Sequence, residues 1–217
     1  MMKDPFSARE EEIFKTLKDL RSCEFVIIGG YAVNAYTLPR FSVDCDIVIK
    51  DKSELRKIET LLLRRGYAGN FSRYEKKVEN NCRVSIDMMV KSVMDRMTKA
   101  TFSAEWIFKN SQLRILKGKT IQEELKLRII DIDSLIVMKI ISCRSTDIRD
   151  VFMMLPHAQD IAWIKAEISL RYNLKDRISK IMEKVNSKQF KDGLSGVYGG
   201  FDQKIFDKHK KVILSLQ

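Results

Sequence analysis

The chain has 217 residues, 45% hydrophobic and 32% charged, with 9 glycines and 3 prolines. That composition excludes collagenous, low-complexity and disordered classes and leaves room for a sizeable core. The 40 Lys and Arg against 29 Asp and Glu leave a formal charge of +11, which favours a polyanionic partner (a nucleotide, a nucleic acid or an anionic membrane surface) or else marks a well-solvated basic surface.

Met1-Met2-Lys3-Asp4-Pro5 leads into acidic residues rather than an apolar run. No stretch approaches the roughly 18 apolar residues of a membrane span, so a cytoplasmic protein with no membrane contact is expected. Residues 8–20 set Ile13, Phe14, Leu17 and Leu20 between charges, the spacing of an amphipathic helix, with Glu10-Glu11-Glu12 suited to its N-terminal turn. Phe25-Val26-Ile27-Ile28, closed by Gly29-Gly30, reads as a buried strand ending in a tight turn, with a short helix over about residues 31–37 after it. Val43-Asp44-Cys45-Asp46-Ile47-Val48-Ile49 is a second strand by composition and punctuation. A helix over residues 53–65 has Ser53 as its N-cap and Gly66 as its stop.

A second β region spans about residues 67–90 and is clearest in Arg83-Val84-Ser85-Ile86-Asp87-Met88-Met89-Val90, with weaker strand signals at residues 106–108, 113–116 and 125–130. From Asp133 the period turns helical, over residues 135–144, 148–155, 161–172 and 178–185. Asp192-Gly193-Leu194-Ser195-Gly196-Val197-Tyr198-Gly199-Gly200 reads as a mobile loop before a last helix at residues 201–216. The chain is therefore α/β (α+β): residues 1–155 form a sheet flanked by helices, and residues 156–217 form a basic helical region. That region holds 12 basic and 7 acidic side chains, a natural place to hold a nucleic acid, or equally a solvated helix surface.

Asp44 and Asp46 stand two apart, so on a strand both carboxylates project from one face and Cys45 from the other. Adjacent like charges are costly unless a divalent cation neutralises them, and clustered carboxylates are hard oxygen ligands that suit Mg²⁺ beside phosphates. If the Asp87 strand lies beside them, three carboxylates converge, enough for two metal ions about 3.5 to 4 Å apart and an in-line nucleotidyl transfer. The Gly29-Gly30 turn would let backbone approach a phosphate closely. Singly, each feature has a plain reading: a tight turn, a solvent-facing edge strand, an Asp paired with one of the many cations. Together, in this order, they favour a site. Lys139 lies in a helix that is apolar nearly all round, where it must snorkel, pair with an acid, or meet a triphosphate.

Other candidates are weaker. Gly118-Lys119-Thr120 looks like the end of a phosphate-binding loop, but position 113 is Leu where that motif needs its first glycine. His157 and His209 have no triad partners at recognisable spacing, and Cys23, Cys45, Cys82 and Cys143 form no close pair, so they read as reduced thiols.

Gly29-Gly30-Tyr31-Ala32, Arg40-Phe41-Ser42-Val43-Asp44-Cys45-Asp46-Ile47-Val48 and Ile86-Asp87-Met88 together resemble the signature of the DNA-polymerase-β-type nucleotidyltransferase superfamily, nearest its small prokaryotic branch that includes toxin-antitoxin toxins. The resemblance covers about residues 24–90. A weaker match continues over residues 135–155, where Lys139, Arg144, Asp147 and Asp150 stand much as a Lys, an Arg and two Asp do in that branch. It implies a nucleotidyltransferase-type mixed sheet and Mg²⁺-dependent transfer of a nucleoside monophosphate from a nucleoside triphosphate, such as ATP, to a hydroxyl. By this resemblance Asp44 and Asp46 bind the metal, as two ions, and Asp87 completes the set and assists deprotonation of the acceptor. Gly29 and Gly30 cradle phosphates, with Arg40 and Ser42 near them. Gly30 replaces the serine many members use on phosphate, and Cys45 replaces the usual Ile or Leu, which bears on substrate choice. The acceptor stays open among RNA, such as a tRNA end, a protein, and a small molecule of the aminoglycoside type. The toxin branch also implies an antitoxin-like protein partner, and a non-catalytic binding module with the same fold is the alternative.

Overall fold

Asp4 starts the first helix: its carboxylate accepts from the Ser7 amide, with Pro5 in the first position. The computed structural model describes residues 4–70, 72–79, 82–200 and 202–216. The parts of the expectations that fall on residues 1–3, 71, 80, 81 and 201 lie outside the described residues. Helix α1 is Pro5–Asp19, so Glu10-Glu11-Glu12 sits past the first turn rather than at the N-terminus as the sequence suggested. Glu10 is buried and clasps the turn at residues 118–120, accepting from the Lys119 amide at 2.7 Å and the Thr120 amide at 2.8 Å. The Glu10 carboxylate already occupies those amides, so they are not open to a phosphate.

Strand β1 (Val26–Ile28) is followed at once by α2 (Gly29–Val33), then β2 (Asp44–Ile49) and α3 (Lys52–Arg64). The short helix thus begins on the glycine pair, earlier than its expected span. The cap of α3 is Asp51, which accepts from the Ser53 and Glu54 amides, so Ser53 is inside the helix. Gly66, at φ 83°, ends it as expected. Strands β3 (Ala68–Asn70), β4 (Arg73–Lys77) and β5 (Arg83–Val90) come next, then the short β6 (Ser92–Met94) and β7 (Thr101–Ser103). Residues 106–108, expected as strand, lie in helix α4 (Ala104–Lys109), because the Ser103 hydroxyl caps the Trp106 amide and Ile107 and Phe108 turn inward. Strands β8 (Ser111–Leu116) and β9 (Leu125–Ile130) complete the β part.

Among the described residues seven strands form one mixed sheet in the order β3-β4-β5-β2-β1-β9-β8. β2 runs parallel to β5 and β1 parallel to β9, while the other pairs are antiparallel. The central strands carry fully buried Val26, Ile27, Cys45, Ile47, Val48 and Ile49, as a sheet covered on both faces requires.

The chain divides into two compact units. The first holds residues up to Ala35, with Pro39–Val93 and Phe102–Ile130, and the second holds Tyr36–Leu38, Met94–Thr101 and the residues from Asp131 onward. The last passage of the chain from the first unit to the second falls at residues 130/131. Helix α5 (Ile132–Ser142) is buried almost all round and packs on α6 (Ser145–Met154) and α7 (Ile161–Ser169), so its surroundings are helical. Helices α8 (Leu174–Val185), α9 (Lys188–Tyr198) and α10 (Gln203–Leu214) follow. Helix α9 replaces the glycine-rich loop expected at residues 192–200. Phe190 and Leu194, four apart, are buried on one face, a Cβ at Gly193 or Gly196 would meet nothing within 4 Å, and Gly199 at φ 80° ends the helix. No helix among the described residues is long and apolar enough to cross a membrane.

Candidate active site

Strand β2 places the acids. Cys45 points into the core and Asp44 and Asp46 out of it, as period-2 alternation requires. The parallel register with β5 sets Asp46 opposite Asp87 and Asp44 opposite Ser85, while the antiparallel register with β1 sets Asp46 opposite Ile28. The strand adjacency that the sequence left conditional is therefore present.

The glycine turn closes on the same point. Gly29 has φ 66°, and a Cβ there would overlap Asp46 Oδ2 and lie 2.8 Å from Asp46 Cγ. Only glycine fits both the left-handed backbone and the neighbouring carboxylate. A Cβ on Gly30 would overlap the Ser42 hydroxyl and come within 3.4 Å of an Arg40 guanidinium nitrogen, so Arg40 and Ser42 do stand at the glycine turn. Arg40 is buried, its amide bound to Asn34 Oδ1 at 3.1 Å and its guanidinium to the Phe41 carbonyl at 3.0 Å. Asn34 returns a bond from Nδ2 to the Arg40 carbonyl at 2.9 Å. The Ser42 hydroxyl donates to the Asp44 carbonyl at 3.2 Å, fixing the entry to β2.

Arg73 completes the cluster and was not foreseen. From β4 its Nη1 donates to Asp87 Oδ2 at 3.0 Å and its Nη2 to Asp44 Oδ1 and Ser85 Oγ, both at 3.1 Å. Its Nε is held by Glu75 Oε1 at 2.8 Å, and the Ser85 hydroxyl hydrogen-bonds Asp44 Oδ1. The Glu75 bond, then the Asp44 and Asp87 charges, raise the Arg73 pKa above its ordinary value. The missed signal was the alternation Arg73-Tyr74-Glu75, with Tyr74 buried, which sets Arg73 across from Asp87.

The field of the acids reaches the core behind them. Burial first, then Asp46, Asp87 and Asp44, push the Cys45 thiol well above the usual range, so it stays protonated. Among the described residues, no three acidic, histidine or cysteine side chains gather about one point as they stand. Instead Asp44 and Asp87 share one guanidinium, and Asp46 lies against Gly29.

Lys139 belongs to the second unit. Its ammonium is buried between Asp147 Oδ1 at 2.9 Å and Asp150 Oδ2 at 2.8 Å. Burial alone would lower its pKa, but Asp150 and Asp147 outweigh it and hold the Lys139 pKa above the ordinary value. Arg144, also in this unit, donates to Asp95 at 3.2 Å. The cysteines are free thiols. His209 Nδ1 lies 3.0 Å from the Phe152 carbonyl in the helical core, not in a catalytic triad.

No known family pattern matches the sequence, and no curated protein matches it. Solved structures do match the fold. MenT4, a nucleotidyltransferase toxin from Mycobacterium tuberculosis H37Rv, superposes with a TM-score of 0.64 at 13% identity, covering 98% of this chain and 84% of that one. An antigenic nucleotidyltransferase-like protein from Paracoccidioides brasiliensis gives 0.54 at 16% identity, covering 89% and 98% respectively. The chain has the nucleotidyltransferase fold, a mixed sheet flanked by helices with a helical C-terminal part.

Proposed function

We propose that the protein is a Mg²⁺-dependent nucleotidyltransferase that moves a nucleoside monophosphate from a nucleoside triphosphate to a hydroxyl acceptor. The observation that carries this reading is the register of β2 and β5, which sets Asp46 beside Asp87 with Gly29 pressed against the Asp46 carboxylate. The donor set fits a hard divalent cation, since Asp44, Asp46 and Asp87 offer carboxylate oxygens and the one thiol, Cys45, is buried and faces the core. Asp44, Asp46 and Asp87 would hold Mg²⁺, as two ions, which when bound neutralises the triphosphate and the leaving pyrophosphate.

The chain's own residues supply the rest. The Gly29-Gly30 backbone, without side chains, leaves room for a phosphate to approach, and Arg40 and Ser42 line that turn. Asp87 is the group that would take the proton from the acceptor hydroxyl, which needs it within hydrogen-bond reach of that oxygen. RNA, such as a tRNA end, is the acceptor best supported, through the basic helices of the second unit. A small hydroxylated acceptor is the competing choice. The likeness to a toxin is what supports an antitoxin-like protein partner.

Incubating the protein with each labelled nucleoside triphosphate, Mg²⁺ and total RNA tests this directly. Label should enter RNA with the wild type, and fall about 10⁴-fold with Asp44→Asn or Asp46→Asn, the scale on which loss of one member of a catalytic unit is felt. Unchanged turnover in both variants overturns the mechanism. Label in a small acceptor but not in RNA overturns the RNA assignment alone.

A further inference from the structure

The acidic cluster is already partly neutralised, by Arg73. Its guanidinium spans two carboxylates on adjacent strands, a planar fork meeting an oxygen on each. A divalent cation on Asp44 and Asp87 would compete with Arg73, which holds one oxygen of each, Asp44 Oδ1 and Asp87 Oδ2. The side chain is 47% exposed and Asp44 and Asp87 are 34% and 25% exposed, so these contacts are screened and weak enough to exchange. A released guanidinium beside a triphosphate has a bidentate anionic partner ready for it.

We propose that Arg73 is an internal counter-ion of the site. It competes with the divalent cation for Asp44 and Asp87 and passes to the triphosphate when both ligands bind, which makes cation and nucleotide binding cooperative. The inference rests on reading Asp44, Asp46 and Asp87 as the cation site. A ligand that removes a competitor raises the affinity of the other ligand, and the effect is reciprocal. Without nucleotide, Arg73 keeps the cation out. With nucleotide, it becomes part of the phosphate grip.

The test is Mn²⁺ binding, followed by the electron paramagnetic resonance signal of the free ion, for wild type, Arg73→Gln and Arg73→Lys, each alone and with each of the four ribonucleoside triphosphates. Arg73→Gln should bind Mn²⁺ about 10-fold more tightly than wild type when no nucleotide is present, within the usual range of coupling between sites. At least one nucleotide should tighten Mn²⁺ binding in the wild type and do so less in Arg73→Gln. Arg73→Lys keeps the charge but cannot fork across both carboxylates, so it should fall between the two, and it serves if the glutamine variant does not fold. Equal Mn²⁺ affinity in wild type and the Arg73 variants, or equal enhancement by nucleotide, overturns the role of Arg73 while the cation site stands. No Mn²⁺ bound by any of them, with or without nucleotide, overturns the cation site itself and Arg73's role with it.

Discussion

Both units contain one basic side chain held by two aspartates, and they differ in how much water reaches it. In the first, Arg73 joins Asp44 and Asp87 with its side chain 47% exposed. In the second, Lys139 joins Asp147 and Asp150 with its side chain 9% exposed and Asp150 at 0%. The motif is the same and its consequence is opposite. An exposed pair is screened, contributes little and can be exchanged for a ligand. A buried pair has lost its hydration and is held by the mutual attraction of its members, so removing one leaves an uncompensated charge in the interior.

The largest effect should come from breaking the buried cluster. Lys139→Met should destabilise the protein by about 3 to 5 kcal/mol, the scale for removing one partner of a buried ion pair. Arg73→Gln should cost no more than about 1 kcal/mol, as for exposed pairs. Urea unfolding of the two variants measures both. Equal costs would mean that the Lys139 cluster is as open to water as the Arg73 one, and the contrast between the units would be lost.

Glycine substitutions sharpen the same contrast at the site. Gly29→Ala and Gly66→Ala both place a Cβ on left-handed backbone, which costs about 1 to 2 kcal/mol. At Gly66 the added atom meets nothing within 4 Å, whereas at Gly29 it drives into the Asp46 carboxylate. Gly66→Ala should therefore lose stability alone. Gly29→Ala should also lose nucleotidyl transfer and Mn²⁺ binding, measured on protein whose folded fraction is matched by circular dichroism.

The site was more legible in the sequence than its counter-ion. Asp44, Asp46 and the glycine pair are local: strand alternation and a two-residue turn put them in place without knowledge of distant residues. Asp87 required only that its strand lie beside β2. Arg73 needed the pairing of β4 with β5, and residues 67–90 read as one undivided β region because Arg73-Tyr74-Glu75-Lys76-Lys77 is too polar to stand out as a strand. Long-range pairing is what periodicity cannot supply. The glycine-rich stretch failed for a related reason. Gly193 and Gly196 argue locally for a loop, but burial of Phe190 and Leu194 in the helical unit outweighs a helix-propensity cost of about 1 kcal/mol per glycine.

The smallest expected effect is a pH dependence that separates Lys139 from His209 within the second unit. The Lys139 pKa is raised, so its contribution is complete below the ordinary lysine value of 10.5 and is lost only as pH climbs through the higher folded value. Nothing from that cluster's lysine should change between pH 5 and 8. His209 behaves in the other sense. Burial, and secondarily the His157 and Lys208 charges, lower its pKa from 6.5, against the pull of the Phe152 carbonyl. A depressed histidine contributes stability that is complete above its ordinary pKa and is lost as pH falls from there towards the folded value, because the unfolded chain takes up the proton first. Urea midpoints at pH 7.5 and 5.5 should therefore fall more in the wild type than in His209→Gln, whose side chain keeps a donor for the Phe152 carbonyl but does not titrate. Equal falls would mean that the titration of His209 is not what couples folding to pH between 7.5 and 5.5.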